Sequence, residues 1–495
     1  MVLGAVLLES SPLAFLRTPL SIASFIYATP DTWMPLGAVV VLAAAGFASE
    51  IAGRTPRSHW IGGLLTGIVV VTGVVWYFRA GDVDWFATQD WVKEWTYYTA
   101  LRESLQRGEL PWFLNEPFQG TPRYFANAET IVSPLGVLLK WLDVSTFVVA
   151  RAVVLMIAGL VSAYYLTRDL RLGPVASLAF LAIFLMNGHV IAHLETGHLQ
   201  WISYWLLPAV LLFIHRAATG NMSPRTLAGL ALSLALIVVE GGWHPYVWSL
   251  IFIGAFVIGG RSRWRFGVLL ALLVAGLSAI RLIPGAALYE MTEREFVGSY
   301  QSLETLIGAL TTSESRRIVD GLNWWEYNTF VGWIGFALVL TGLTAPLTRV
   351  WQHSVSTLWA PSVAMLVLSC YNLYQWTLFR LPGFVSQRVA SRLLVVGVLG
   401  FTLIACVQLN SWLSRHARSR WRIVMAAAAA LLLAAQLVAH LNSRRPRPNR
   451  GVGAPAVNIV SPQPPEAVYV WSVAGGGLVT LISLGIAGSM WRRPC

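Results

Sequence analysis

Residues 391–412 read SRLLVVGVLGFTLIACVQLNSW, and one charge, Arg392, sits at the leading edge of an otherwise uncharged run. Such a run is long enough to cross about 30 Å of hydrocarbon as a helix, the form that satisfies every backbone polar group within its own segment. Runs of the same kind recur at 34–50, 60–79, 146–167, 174–192, 198–215, 225–240, 246–260, 265–284, 329–347, 356–376, 421–440 and 468–490. Only 12% of the 495 residues are charged, against roughly 25% in a soluble domain. The expected fold is therefore all-α, a polytopic transmembrane helical bundle of about thirteen spans. Many of the 23 tryptophans belong to the belts where indoles meet the membrane–water boundary.

The net charge of +12 has the same explanation. Basic residues cluster in GRTPRSH (53–59), TRDLRLG (167–173), HRAATGNMSPR (215–225), RSRWR (261–265) and RHARSRWR (415–422), which reads as a cytoplasmic face and excludes nucleic acid as the partner. The alternate loops, 80–145, 193–197, 240–245, 285–328, 377–390 and 441–467, then face outward, with NSRRPRPNR (442–450) the one basic exception, a Pro/Arg-rich linker. Cys370, Cys406 and Cys495 have no metal or disulfide spacing. Residues 1–30 do not read as a removed signal peptide. The organisation expected is an N-terminal segment with a first span (1–59), a membrane module (60–412) and C-terminal spans (413–495) around the linker 442–467.

Two long outward loops, 80–145 and 285–328, have room for a site and for short interfacial helices. The first carries QDWVKEWTYYTALRESLQRGELPWFLNEPFQGTP (89–122). Residues 90–107 read as a surface helix, followed by a platform stiffened by Gly108, Pro111, Pro117, Gly120 and Pro122. Residues 131–145 read as a half-helix in the interface. Asp90 follows a span, begins a helix and precedes aromatic residues, a place where a carboxylate is partly desolvated and suited to take a proton from a hydroxyl.

The ordered set Asp90, Gly108-Glu109-Leu110-Pro111-Trp112, Asn115-Glu116-Pro117, Gly120-Thr121-Pro122 and Ser133-Pro134 resembles the first extracytoplasmic loop of YfhO-like integral-membrane glycosyltransferases of the GT-C superfamily. HLQWISYWLLP (198–208), GGWHPYVW (241–248), LIPGAALYEMTERE (282–295) and RLPGFVSQRVASR (380–392) agree in order, so the likeness spans about 80–412. Glu116 departs from the pattern, and 1–50 and 441–495 match nothing in it. The resemblance implies a GT-C fold in the cytoplasmic membrane and an extracytoplasmic active site. It implies a polyprenyl-phosphate sugar donor, a lipid, glycan or protein acceptor, and an Asp in this loop as catalytic base. Asp90 is the best match, with Asp84 and Asp82 as runners-up.

Glycosyl transfer from a lipid phosphate needs a base for the acceptor hydroxyl and a cation for the leaving phosphate. Arg388 and Arg392, spaced i, i+4, are expected on one side of a helix, where guanidinium forks match phosphate oxygens. Interfacial snorkelling is the plain alternative. Arg281, inside an apolar span, is a third phosphate candidate. His198 joins this group as a hydrogen-bond donor to phosphate or sugar. Trp112, Asn115, Glu240, His244 and Arg294 are the substrate-binding candidates, Glu240 a better-than-average substrate contact at a span's end with pairing to a nearby Arg as its alternative. HLETGH (193–198) has no zinc spacing; a divalent cation, magnesium or manganese, remains a possible cofactor through the superfamily only. The competing functions are a transporter or flippase of lipid-linked saccharides and a non-catalytic envelope-assembly protein. Collection of charge on one face favours one-sided chemistry over a transport path.

Overall fold

The computed structural model describes residues 90–114, 123–260, 263–288, 295–313, 318–319, 321–347, 353–381, 383–416, 419–444 and 465–492. The expected spans 34–50 and 60–79, Asp82, Asp84, Asn115, Arg294 and most of the linker lie outside these residues. The structure is mostly helical. Six helices are long and apolar enough to cross a membrane: Val144–Asp169, Pro174–Thr196, Leu199–Ala218, Ala390–Arg415, Arg420–Leu441 and Ala467–Arg492. A bent pair, Trp264–Leu277 and Ala279–Ala287, would make a seventh. This is a multi-pass membrane protein. Four shorter apolar helices, Pro224–Val239, Trp243–Ile258, Gly332–Leu343 and Val355–Leu368, pack among them.

Helix starts follow from local chemistry. Asp143, Ser223 and Ser302 accept from backbone N–H groups in the first turns of their helices, and Pro174 and Pro224 occupy first-turn positions that have no N–H to waste. The segment expected as one span over 265–284 is broken at Ser278, with a 77° bend. Arg281 therefore stands on a short second arm rather than within a continuous apolar span. The C-terminal helix Ala467–Arg492 packs along that arm: a side chain on Gly476 would collide with the carbonyl of Ala279, and the Thr480 hydroxyl accepts from the N–H of Ile280.

Alternation of the helices brings the loops to two ends of different charge. At one end Arg216 pairs with Asp169 (2.7 Å), Asn410 bridges Gly173 and Arg171, and Arg225 donates to the carbonyl of Trp491. Arg168, Arg263, Arg265, Arg415, Arg420 and Arg422 belong to the same end, and Asp169 is its one described carboxylate. The other end gathers 90–114, 123–143, 195–201, 240–244, 279–288, 295–313, 321–330, 369–381, 383–393, Arg444 and Glu466, and all the remaining described carboxylates.

At this second end the first loop holds helix Trp91–Arg107, as expected, with Asp90 as its N-cap residue and Gly108 closing it in the left-handed conformation. It is more than a surface helix, because Trp91, Glu94, Tyr97, Tyr98 and Leu101 are buried against the bundle. Residues 134–140 form a 3₁₀ helix capped by Ser133 rather than a longer half-helix. The second loop contains helix Leu303–Thr311 and a hairpin in which Ile318–Val319 pairs antiparallel with Leu322–Asn323.

Candidate functional site

Asp90 is held from two sides. Its backbone N–H donates to the Thr196 carbonyl (3.1 Å), and its carboxylate Oδ2 lies 2.8 Å from His198 Nε2 and 3.6 Å from Lys93 Nζ. Gly197 makes this approach possible. It takes a φ of +92°, and a side chain there would strike the backbone of Trp91 and Asp90. His198 in turn places Nδ1 2.6 Å from Nδ1 of His193, so one proton serves both rings and fixes their tautomers together. Trp201 stacks on His193 with centroids 3.6 Å apart, and the Arg392 guanidinium lies over the same indole at 4.7 Å. Asp90, His198, His193, Trp201 and Arg392 thus form one continuous contact chain.

Behind Asp90 lies a charged layer. Lys93 also pairs with Glu129 at 2.7 Å. Burial works to raise the Asp90 carboxyl, but the hydrogen bond and charge of His198, with Lys93, hold it well below the usual carboxylate range. Burial likewise pushes Glu129 up, yet the charge of Lys93 brings it below its ordinary value. Glu94 goes the other way. It is fully buried, and burial, reinforced by the nearby Glu129 charge, raises it to about 8 against the pull of Lys93 and the Tyr98 hydroxyl. At neutral pH Glu94 is predominantly a neutral acid next to two ionised ones. Deeper still, Arg151 pairs with Glu240 (2.7 Å) and donates to the Tyr98 hydroxyl (2.7 Å).

The sequence candidates divide accordingly. Asp90, His198 and Arg392 come together. His244 joins their periphery: its ring is 5.3 Å from Trp201, and Nδ1 is 2.8 Å from the Gln387 amide oxygen, which also accepts from Trp248. Glu240 is the partner of Arg151 and is fully buried. Arg281 is spent on the first loop, donating to the carbonyls of Tyr124, Phe125, Asn127 and Thr130 and to the Thr130 hydroxyl. Trp112 packs edge-on to Phe125 and Tyr469, and its carbonyl accepts from the Tyr469 hydroxyl, so it anchors the C-terminal helix.

Arg388 and Arg392 do not share a helical face. Residues 388–389 run extended, where the carbonyl of Arg388 accepts from Val297 and Val389 bridges Gly298; the helical backbone begins only at Ala390. Ladder pairing overrides the i, i+4 spacing. Arg392 turns inward to a two-pronged pair with Glu326, its Nε and Nη2 each 2.6 Å from a carboxylate oxygen. Arg388 stays exposed, with Nε donating to the Glu295 carbonyl (3.0 Å).

Sequence reasoning gave no site role to Lys93, Glu94, Glu129, Trp201 or Glu326, and weighed His193 only within the external histidine group. The i, i+5 histidine pair around Gly197 was the visible signal; the Glu326–Arg392 pair joins residues too far apart in the chain to have left one. Among the described residues no three His, Cys, Asp or Glu side chains converge as metal ligands. Comparison with protein-family models, curated proteins and solved structures returned no match.

Proposed function

We propose that the protein is an inverting membrane glycosyltransferase of GT-C type, which moves a sugar from a polyprenyl phosphate to a lipid, glycan or protein acceptor. The observation that carries this reading is the half-exposed Asp90 carboxylate, joined through His198, His193 and Trp201 to Arg392 at the carboxylate-rich end of the bundle. Short basic loops such as 167–173 and 215–225 at the opposite end support an orientation in which Asp90 faces away from the cytoplasm.

Both described contacts of Asp90 fall on Oδ2, which leaves Oδ1 to accept a proton from the acceptor hydroxyl. A carboxylate held ionised is a weak base at rest. It takes the proton only as the acceptor oxygen bonds to the anomeric carbon and becomes acidic. The new C–O bond forms as the anomeric carbon–phosphate bond breaks, and the lipid phosphate leaves with the electron pair. Arg392, the cation of the Asp90 contact chain, would receive that charge by exchanging Glu326 for phosphate, with the exposed Arg388 as the second candidate.

The test is mass spectrometry of lipids and glycans from cells lacking the gene, complemented with wild type or with Asp90→Asn. Loss of one sugar-bearing species, restored by wild type and not by an equally abundant Asn variant, is expected. Full restoration by Asp90→Asn removes the assignment.

A further inference from the structure

Beside Arg388, apart from the Asp90 chain, a cleft of about 460 Å³ is lined by Glu295, Phe296, Gln375, Phe379 and Arg380. It is a shallow, largely open cleft, of the kind that takes a headgroup at its surface rather than enclosing a ligand. Both walls are fixed. The segment 297–300 is tied to 369–390 through N–H donation from Val297 to Arg388 O (2.8 Å), Tyr300 to Ser369 O (2.9 Å), Tyr371 to Tyr300 O (2.9 Å) and Ala390 to Gly298 O (2.7 Å). Phe296 and Phe379 meet edge to face at 5.5 Å.

Among the described residues lining the cleft, Arg380 is the one cation and Glu295 the one anion, and the two do not pair. Among the described residues neither the Arg380 nor the Glu295 side chain has an ion-pair or hydrogen-bond partner. A ligand complementary to both carries a phosphate and an ammonium a few ångströms apart, and the phenyl rings offer a further surface to the ammonium. The rim says where such a ligand comes from. Tyr371, Leu373, Trp376 and Leu381 expose their side chains on the same segment, Trp376 to 69%, as expected of residues set at the edge of a bilayer. We infer that this cleft binds the phosphoethanolamine headgroup of a membrane phospholipid, with Arg380 on the phosphate and Glu295 on the ammonium. This goes beyond the transferase reading and does not depend on it. A chain with no transferase activity would still bind the lipid, and a transferase without this site would still transfer.

Native mass spectrometry of the full chain, released from micelles with equal amounts of phosphatidylethanolamine, phosphatidylglycerol and phosphatidylcholine, tests it. Wild type should retain phosphatidylethanolamine about tenfold over phosphatidylglycerol, the scale of one charge-assisted hydrogen bond. Arg380→Gln should lower phosphatidylethanolamine retention by about tenfold. Glu295→Gln should erase the preference over phosphatidylglycerol while leaving total lipid retention. Both side chains are exposed, so unchanged thermal unfolding is expected of each variant. Equal retention of the three lipids by wild type, a preference for phosphatidylglycerol, or wild-type behaviour of both variants would overturn the inference.

Discussion

Replacement of Glu94 by Gln is the perturbation whose size can be worked from the structure. Glu94 is fully buried, and burial lifts its carboxyl from 4.5 to about 8. Between those pH values the folded chain keeps a proton that the unfolded chain has lost. The neutral acid therefore leaves stability intact below the unfolded value, and stability declines as pH rises toward the folded value. At about 1.4 kcal/mol per pH unit over that window, the loss is about 5 kcal/mol in full. Gln has the same shape and no proton to lose. The variant should match wild type near pH 4.5 and exceed it by several kcal/mol near pH 8, with the difference curve rising between. Asp90 and Glu129, both shifted downward, and Lys93, shifted upward, titrate outside the window. Denaturant unfolding of the two proteins in detergent, followed by tryptophan fluorescence at several pH values, measures it. A difference that does not change with pH would refute the reasoning, since Glu94 would then be ionised in the folded state.

Other outcomes follow from the same contacts. Gly197→Ala forces a left-handed alanine, costing about 1–2 kcal/mol, and drives the Asp90 backbone from His198; if Asp90 is the base, cellular product should fall more than protein abundance does. Arg281→Met strands buried carbonyls of the first loop at roughly 1–3 kcal/mol each, so it should lower the unfolding midpoint sharply. A midpoint within error of wild type would show that those carbonyls find other partners. Glu326→Gln leaves the Arg392 guanidinium inside without its counter-charge, a loss of about 3–5 kcal/mol that the double variant Glu326→Gln/Arg392→Met should partly recover.

Much of the architecture was legible along the chain because lipid imposes a simple rule. A helix that crosses a membrane must be long and apolar, and a run such as 391–412 shows both properties without reference to any neighbour. The helix 91–107 and its start at Asp90 were legible for a similar reason, since caps and turn residues act over a few positions. The sequence thus determined the helical and apolar character of the chain and the start of the helix at Asp90. What the loop side chains touch was decided by tertiary structure. Arg388 and Arg392 have helical spacing, but strand-like pairing with 297–298 sends one outward and the other to Glu326. Arg281 looks like an intramembrane charge until the bend at Ser278 delivers it to the carbonyls of 124–130. Long polar side chains take partners by proximity in space, and periodicity carries no record of which distant loop folds against which.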